Sequence, residues 1–275
     1  MLRPLRRRND AQTRRIRRGA YVLPSMFTIG NMFCGYACIV YAMRGEFATA
    51  APFIGFAMVL DMLDGRIARM TGTASDFGIE LDSLADVISF GMAPAILSFT
   101  WGLQSLGRVG WAVGFLFLAA AALRLARFNI QAGSQDKRYF VGMPSPAAAA
   151  VPAATVFAYP AGVIERPQAL LVVAMVVVPA LLMVSTIRFR SFKTFDLQSR
   201  RSYSALLLIA IGLALVAAQP EYLFVALAYG YLSLAFVELI WTRARRRQGV
   251  ADVAKVADEA KDESTEQAQG LRPKA

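Results

Sequence analysis

Residues 61–86 read DMLDGRIARMTGTASDFGIELDSLAD and place six carboxylates and two arginines between long apolar segments. Asp61 and Asp64 are three residues apart and Asp82 and Asp86 are four apart, so each pair shares one face of a helix. In an antiparallel helical hairpin, Asp64 lies level with Asp82 and Asp61 with Asp86. Four converging carboxylates form a hard oxygen site that suits two divalent cations, Mg²⁺ or Mn²⁺. Such a site polarises a phosphoryl group and supports the attacking and departing oxygens.

Two other interpretations of this acidic cluster stay open. Charge pairs such as Asp64 with Arg69 would only hold the helices together, but the arginines on these turns are too few to balance the acids. A proton or sodium path in an ion-coupled transporter is the stronger rival. Against it, the cluster lies off the membrane midplane, both helices are unbroken, and no second half of the chain mirrors them.

The composition is typical of a membrane protein. The chain has 275 residues, of which 56% are apolar and 18% are charged, whereas a soluble domain averages about 25% charged residues. The chain has no histidine, which excludes Ser-His-Asp triads, Cys-His dyads and His-ligated zinc. Cys34 and Cys38 are one helical turn apart in an apolar run and are interpreted as packing residues.

Apolar segments predict an all-α, polytopic integral membrane helix bundle with about eight transmembrane helices. The predicted spans are residues 23–43, 47–70, 75–102, 110–130, 144–163, 169–187, 204–218 and 221–241. Seven spans are the alternative, because the last two segments merge across residues 219–221 into one long kinked helix. Residues 1–20 form a basic cytoplasmic segment, residues 21–245 the membrane domain, and residues 246–275 a polar, charged tail.

The charge distribution predicts the orientation. The net charge is +11, and 27 of the 30 basic residues fall on the side that carries both termini. Arg44, Arg108 and Arg166 are the three on the other side. By the positive-inside rule both termini are cytoplasmic, and the aspartates lie in the cytoplasmic half of the cell membrane. The basic residues are interpreted as contacts to anionic lipid, and nucleic-acid binding is not expected.

The spacing Asp61-x2-Asp64-Gly65-x2-Ala68-Arg69-x8-Gly78-x3-Asp82-x3-Asp86 resembles the complete signature of the CDP-alcohol phosphatidyltransferases. The resemblance implies a membrane transferase that moves a phosphatidyl group from a CDP-activated lipid to an alcohol, releases CMP and uses two divalent cations. It implies that Asp61, Asp64 and Asp82 hold the metals, and that Asp86 completes the metal shell and acts as the catalytic base. By the same resemblance, the nucleotide-binding residues are Gly65, Ala68, Arg69 and Gly78. A homodimer is also implied.

Flanking segments are similar to the membrane-embedded phosphatidylserine synthases of this family. They are residues 31–35, 84–94, 122–129, 140–146 and 191–193. The resemblance implies CDP-diacylglycerol and L-serine as substrates. The alternative acceptors are glycerol phosphate, inositol phosphate and choline, and a non-catalytic membrane scaffold is a further alternative.

The serine carboxylate and ammonium require a cation and an oxygen acceptor in the pocket. Candidates near the cytoplasmic end of the fourth span are Arg124, Arg127 and Asn129. Arg188, Arg190 and Lys193 are candidates for the lipid diphosphate or phosphatidic head group. The alternative is that these cations only obey the positive-inside rule.

Overall fold

The computed structural model describes residues 7–71, 75–132, 140–163, 165–185, 188–189, 210, 214–215, 217–234 and 236–237. These residues are largely helical. The helices are α1 (Arg7–Met43), α2 (Phe47–Thr71), α3 (Asp76–Asp86), α4 (Ala93–Ser98), α5 (Arg108–Ala132), α6 (Ser145–Ala158) and α7 (Arg166–Val184). Residues 220–234 are also helical. Two short strands, β1 (Phe140–Val141) and β2 (Arg188–Phe189), pair antiparallel.

The third predicted span is one continuous helical segment with changes of pitch. α3 continues directly as a π-helical segment, Val87–Met92. α4 follows and continues as a second π-helical segment, Phe99–Leu103, and then a 3₁₀ turn, Gln104–Leu106. A π-helical turn inserts an extra residue into the helical repeat and is frequent at functional sites. The first of these segments begins directly after Asp86, the last of the four signature aspartates.

Within the described part of the chain, five helices are long and apolar enough to cross a membrane, which agrees with the predicted membrane helix bundle. They are Ser25–Met43, Phe47–Met70, Asp76–Leu106, Arg108–Ile130 and Arg166–Val184. The predicted span 144–163 is shorter than expected, since α6 has 14 residues and ends at Ala158. Pro160 explains this end, because a proline disfavours helical geometry in the residue before it. Tyr159 accordingly has a φ of −130° and a ψ of 68°.

The predicted spans 204–218 and 221–241 fall largely outside the described residues, so the total of about eight spans stays a prediction. Gln219 is assigned as non-helical, yet its amide donates to the Leu215 carbonyl at 3.0 Å and its carbonyl accepts from the Leu223 amide at 3.4 Å, so two helices and one kinked helix both stay open. By its contacts the chain divides into two units, Met1–Leu232 and Ser233–Ala275. The predicted tail, 246–275, lies outside the described residues.

Local sequence explains how the helices around the site begin and end. α1 is followed by Gly45, whose φ of +77° is a left-handed conformation that glycine adopts readily. The Gly45 and Glu46 amides donate to the carbonyls of Ala42 and Tyr41, at 3.0 Å each, and so close the end of the helix. α3 begins at an N-cap, Ser75, whose hydroxyl accepts a hydrogen bond from the Gly78 amide at 3.1 Å.

α1 is the central packing element of the site. It packs along α2 and also contacts α3, the π-helical segment Val87–Met92 and α4. Over the described residues, α2 and α3 make few close backbone contacts with each other. The hairpin predicted from the sequence placed α2 directly beside α3, whereas in the structure α1 links them. The site is therefore built from three helices rather than two.

Candidate active site

Three of the four signature aspartates come together. Carboxylate oxygens of Asp61 and Asp64 on α2 and Asp82 on α3 all lie within 4.8 Å of one another. Asp64 is only 4% exposed, and Asp61 and Asp82 are half-buried. Partly buried like charges at this separation repel each other unless a cation or protons compensate them. The three carboxylates are therefore close enough together to share a cation.

The residues fit a divalent cation. One carboxylate oxygen of Asp82 is buried and has no hydrogen-bond partner among the described residues. An unpartnered buried oxygen is costly, and a metal ion would satisfy it. The donor set is all carboxylate, which is the set that Mg²⁺ and Mn²⁺ prefer. Asp61, Asp64 and Asp82 would hold the metal.

Asp86 occupies a different position from the other three aspartates. It lies outside the 4.8 Å cluster, is 9% exposed and lies one turn further along α3. The role of Asp86 as a metal ligand and base stays a prediction.

α1 supplies two polar side chains that sequence reasoning did not assign to the site. The Thr28 hydroxyl donates to a carboxylate oxygen of Asp64 at 3.1 Å, and the Asn31 amide nitrogen donates to Asp86 at 3.3 Å. The Ser89 hydroxyl donates to the Asn31 backbone carbonyl at 2.8 Å. The available signal was the i, i+3 spacing of Thr28 and Asn31 in an otherwise apolar span.

The predicted nucleotide residues lie at the ends of α2 and α3 near the aspartates. Gly65, Ala68 and Gly78 are half-buried and Arg69 is exposed. The Arg69 guanidinium folds back over Gly65, 3.5 Å from the position that a Cβ atom would take there. It also acts electrostatically on Asp64. A cation and small side chains therefore border the carboxylate cluster, as an anionic nucleotide requires.

Arg124 on α5 is a predicted serine-binding residue that acts electrostatically on the aspartates. It interacts electrostatically with Asp86 and Asp61. One of its terminal nitrogens donates to the Ser145 hydroxyl at 2.9 Å, while its Nε is buried and has no hydrogen-bond partner among the described residues. Two segments that are distant in sequence, the end of α5 and the start of α6, therefore meet beside the site.

The other residues predicted to bind serine or the lipid head group have no described contact with the aspartates. Arg127 is half-buried, one turn after Arg124, and the Asn129 amide donates to the Ser83 hydroxyl at 2.9 Å, which joins α5 to α3. The Arg188 backbone pairs with Val141 in the two-stranded sheet. Its side chain, together with Arg190 and Lys193, lies outside the described residues.

The comparisons with known proteins agree with this geometry. A Helicobacter pylori (strain ATCC 700392 / 26695) CDP-diacylglycerol–serine O-phosphatidyltransferase is 38% identical over 205 residues, which cover 73% of this chain and 83% of the relative. The enzyme of that name from Mycobacterium leprae (strain TN) is 41% identical over 133 residues, 46% of this chain and 44% of the relative. The one from Bacillus subtilis (strain 168) is 38% identical over 124 residues, 45% of this chain and 69% of the relative.

The family model described as CDP-alcohol phosphatidyltransferase matches residues 21–187. This range contains the aspartate cluster, the α1 residues that support it, and Arg124. The chain belongs to the CDP-alcohol phosphatidyltransferase family.

Proposed function

We propose that the protein transfers the phosphatidyl group of CDP-diacylglycerol to the hydroxyl of L-serine, giving phosphatidylserine and CMP. The observation that carries the proposal is the cluster of Asp61, Asp64 and Asp82, in which the signature aspartates converge to 4.8 Å. The relatives support serine as the acceptor, because the names of all three include it.

The reaction is a substitution at the β-phosphorus of CDP-diacylglycerol. The serine oxygen forms a bond to that phosphorus, the bond from phosphorus to the CMP oxygen breaks, and Asp86 accepts the hydroxyl proton. Asn31 keeps Asp86 oriented by its hydrogen bond, and Arg124 acts on it electrostatically, in largely buried surroundings where a general base acts without competition from bulk water. Arg69 binds the nucleotide phosphates beside Gly65, Ala68 and Gly78.

The carboxylate cluster contributes through the cations it would hold. Divalent cations held there, Mg²⁺ or Mn²⁺, would supply positive charge to the diphosphate and to the leaving CMP. Asp61, Asp64 and Asp82 fix the place of that positive charge, and Thr28 fixes Asp64. In this proposal two ions are held, with Asp86 completing the ligand set.

The protein is a membrane protein, and we propose the cell membrane as its location, with the site facing the cytoplasm. CDP-diacylglycerol reaches the site from the bilayer and serine from the cytoplasmic water. The bias of 27 basic residues towards one side supports this orientation. A homodimer is proposed from the family resemblance.

The test measures CMP release by detergent-purified protein given CDP-diacylglycerol, Mn²⁺ and labelled serine. We expect serine-dependent CMP release with label in phosphatidylserine, loss of both with a chelator, and recovery on adding Mg²⁺ or Mn²⁺. Release only with glycerol phosphate, inositol phosphate or choline would change the acceptor. Turnover that ignores the chelator would contradict the metal assignment, and coupled ion flux in vesicles without turnover would favour a transporter.

A further inference from the structure

Three buried side-chain atoms in the described part of the chain have no hydrogen-bond partner, and all three belong to this site. They are an oxygen of Asp82, the amide oxygen of Asn31 and the Nε of Arg124. Buried polar atoms without partners are rare in folded proteins because each costs about 1–3 kcal/mol. A cation accounts for the Asp82 oxygen. The other two atoms, one acceptor and one donor, still lack a partner.

Both atoms belong to side chains that interact with Asp86. The Asn31 amide nitrogen donates to Asp86 at 3.3 Å, and Arg124 interacts electrostatically with Asp86. An amide with an unpartnered acceptor oxygen and a guanidinium with an unpartnered donor therefore both act on the carboxylate that takes the proton in the proposed function. L-Serine is complementary to this set of groups, since its ammonium donates, its carboxylate accepts, and its hydroxyl, on the next carbon, would face Asp86.

We propose that Asn31 determines acceptor specificity: its amide oxygen accepts a hydrogen bond from the ammonium group of serine while its amide nitrogen holds Asp86. The proposal rests on the proposed function and extends it to a residue of α1. In this proposal Arg124 binds the serine carboxylate and Asn31 binds the serine ammonium.

The surroundings of Asn31 explain why an asparagine suits both tasks. Its side chain is fully buried, and its backbone carbonyl is held by the Ser89 hydroxyl at 2.8 Å. The hydrogen bond to Asp86 uses the amide nitrogen and so turns the oxygen away from Asp86. An aspartate at this position would accept from the ammonium but could not donate to Asp86, and it would add a like charge beside four carboxylates.

The same contact would reject other acceptors. Glycerol phosphate and inositol phosphate have no ammonium group, and the quaternary ammonium of choline has no N–H to donate. Each would leave the Asn31 oxygen buried without a partner. Sites built to hydrogen-bond a substrate group discriminate strongly against analogues that lack it.

The test compares L-serine with 3-hydroxypropionate, which lacks the ammonium, in wild-type protein and in Asn31→Ala. We expect wild-type kcat/KM to favour serine by at least about 100-fold. In Asn31→Ala, kcat falls with both acceptors because Asp86 loses its donor, and the preference for serine shrinks by about tenfold or more. The ratio of the two rates does not depend on the folded fraction of the variant.

Two further acceptor measurements separate specificity from a structural role. Ethanolamine lacks the carboxylate, so the preference for serine over ethanolamine stays unchanged in Asn31→Ala and shrinks in Arg124→Ala. The matched control is Thr28→Val, which removes the other hydrogen bond from α1 to an aspartate. We expect it to lower turnover of all three acceptors by the same factor.

A preference for serine over 3-hydroxypropionate that is the same in Asn31→Ala as in wild-type protein would overturn the proposal and leave the proposed function intact. Should Asn31→Ala give no turnover, binding of labelled serine in the presence of CDP-diacylglycerol and Mn²⁺ replaces the rate. Lost serine binding with retained CDP-diacylglycerol binding supports the proposal, and retained serine binding overturns it. CMP release by wild-type protein only with another alcohol would overturn both proposals.

Discussion

Asp86 is set apart from its neighbours by what surrounds its carboxylate. The three clustered aspartates face one another, which suits cation binding, whereas Asp86 meets an amide donor from α1 and the electrostatic field of a guanidinium from α5. A carboxylate held by directed donors has a fixed orientation and can receive a proton from one direction. At the scale of single residues, these surroundings separate the proposed base from the three clustered aspartates, and in the proposal Asp86 also completes the metal ligand set.

Asp86→Asn tests this separation. An asparagine keeps the shape of the side chain but cannot accept the serine proton, so we expect kcat to fall by about 10²–10⁴-fold with CDP-diacylglycerol binding retained. CMP release and lipid binding are measured on the same preparation. Asp76→Asn is the matched control, because Asp76 is an exposed aspartate of the same helix. We expect the turnover of this variant to equal that of the wild-type protein. Turnover near the wild-type rate in Asp86→Asn would remove Asp86 as the base.

Arg124→Ala tests which substrate the half-buried guanidinium of Arg124 binds. We expect the KM for serine to rise by about tenfold or more while the KM for CDP-diacylglycerol changes little, because a charge-assisted hydrogen bond to the serine carboxylate is lost. Arg127→Ala, one turn further along α5, is the comparison and should raise the KM for serine by a smaller factor. A larger rise in the KM for CDP-diacylglycerol would reassign Arg124 to the lipid.

Among the helices, the contact between α1 and the π-helical segment Val87–Met92 fixes the site. A Cβ atom on Gly35 would lie 2.6 Å from the Ser89 hydroxyl oxygen and 2.7 Å from its Cα. The helices can approach this closely only because position 35 has no side chain. This approach places Ser89 against the Asn31 carbonyl and so fixes the donor to Asp86.

Gly35→Ala should therefore damage both stability and activity. The added methyl group overpacks a buried contact, which typically costs about 1–3 kcal/mol, and it moves α1 relative to Asp86. We expect a lower thermal unfolding midpoint and a lower kcat at the temperature where the variant is folded. Gly55→Ala is the control, since a Cβ atom there meets nothing within 4 Å. Equal midpoints in the two variants would show that the close contact does not stabilise the fold.

The helices also show what the sequence could and could not predict. Helical periodicity was sufficient to place Asp61, Asp64 and Asp82 together, because residue spacing fixes the face of a helix. Periodicity contains no information about which helix fills the space beside that face. The contacts of Thr28 and Asn31 with the aspartates could therefore be recognised only in the tertiary structure. Polar residues in a mostly apolar span do not show which residues they contact.

The limits of prediction at other elements have local causes. The short α6 was predictable in principle, because Pro160 follows it in the sequence. The π-helical segment after Asp86 was not, since no residue pattern distinguishes it from the α-helix around it. The meeting of Arg124 with Ser145 depends on how α5 and α6 pack, which spacing along the chain does not determine.

At the scale of the whole molecule, charge and depth support one orientation. In the predicted topology most basic residues lie on the side of the termini, and the aspartates lie towards that end of α2 and α3. A polar acceptor from the cytoplasm and a lipid from the bilayer would then meet at one depth. The reverse orientation would place the aspartates and Arg124 towards the outside, away from cytoplasmic serine.

Cysteine labelling tests this orientation. Gln104→Cys and Asp76→Cys place a thiol at exposed positions on opposite ends of the third span and leave every basic residue in place. The native Cys34 and Cys38 are buried, so they should react slowly. We expect a membrane-impermeant maleimide to label Gln104→Cys in spheroplasts and Asp76→Cys only in inverted vesicles, because the Asp76 end lies on the basic side. Labelling of Asp76→Cys in intact spheroplasts would reverse the orientation and, with it, the side from which serine enters.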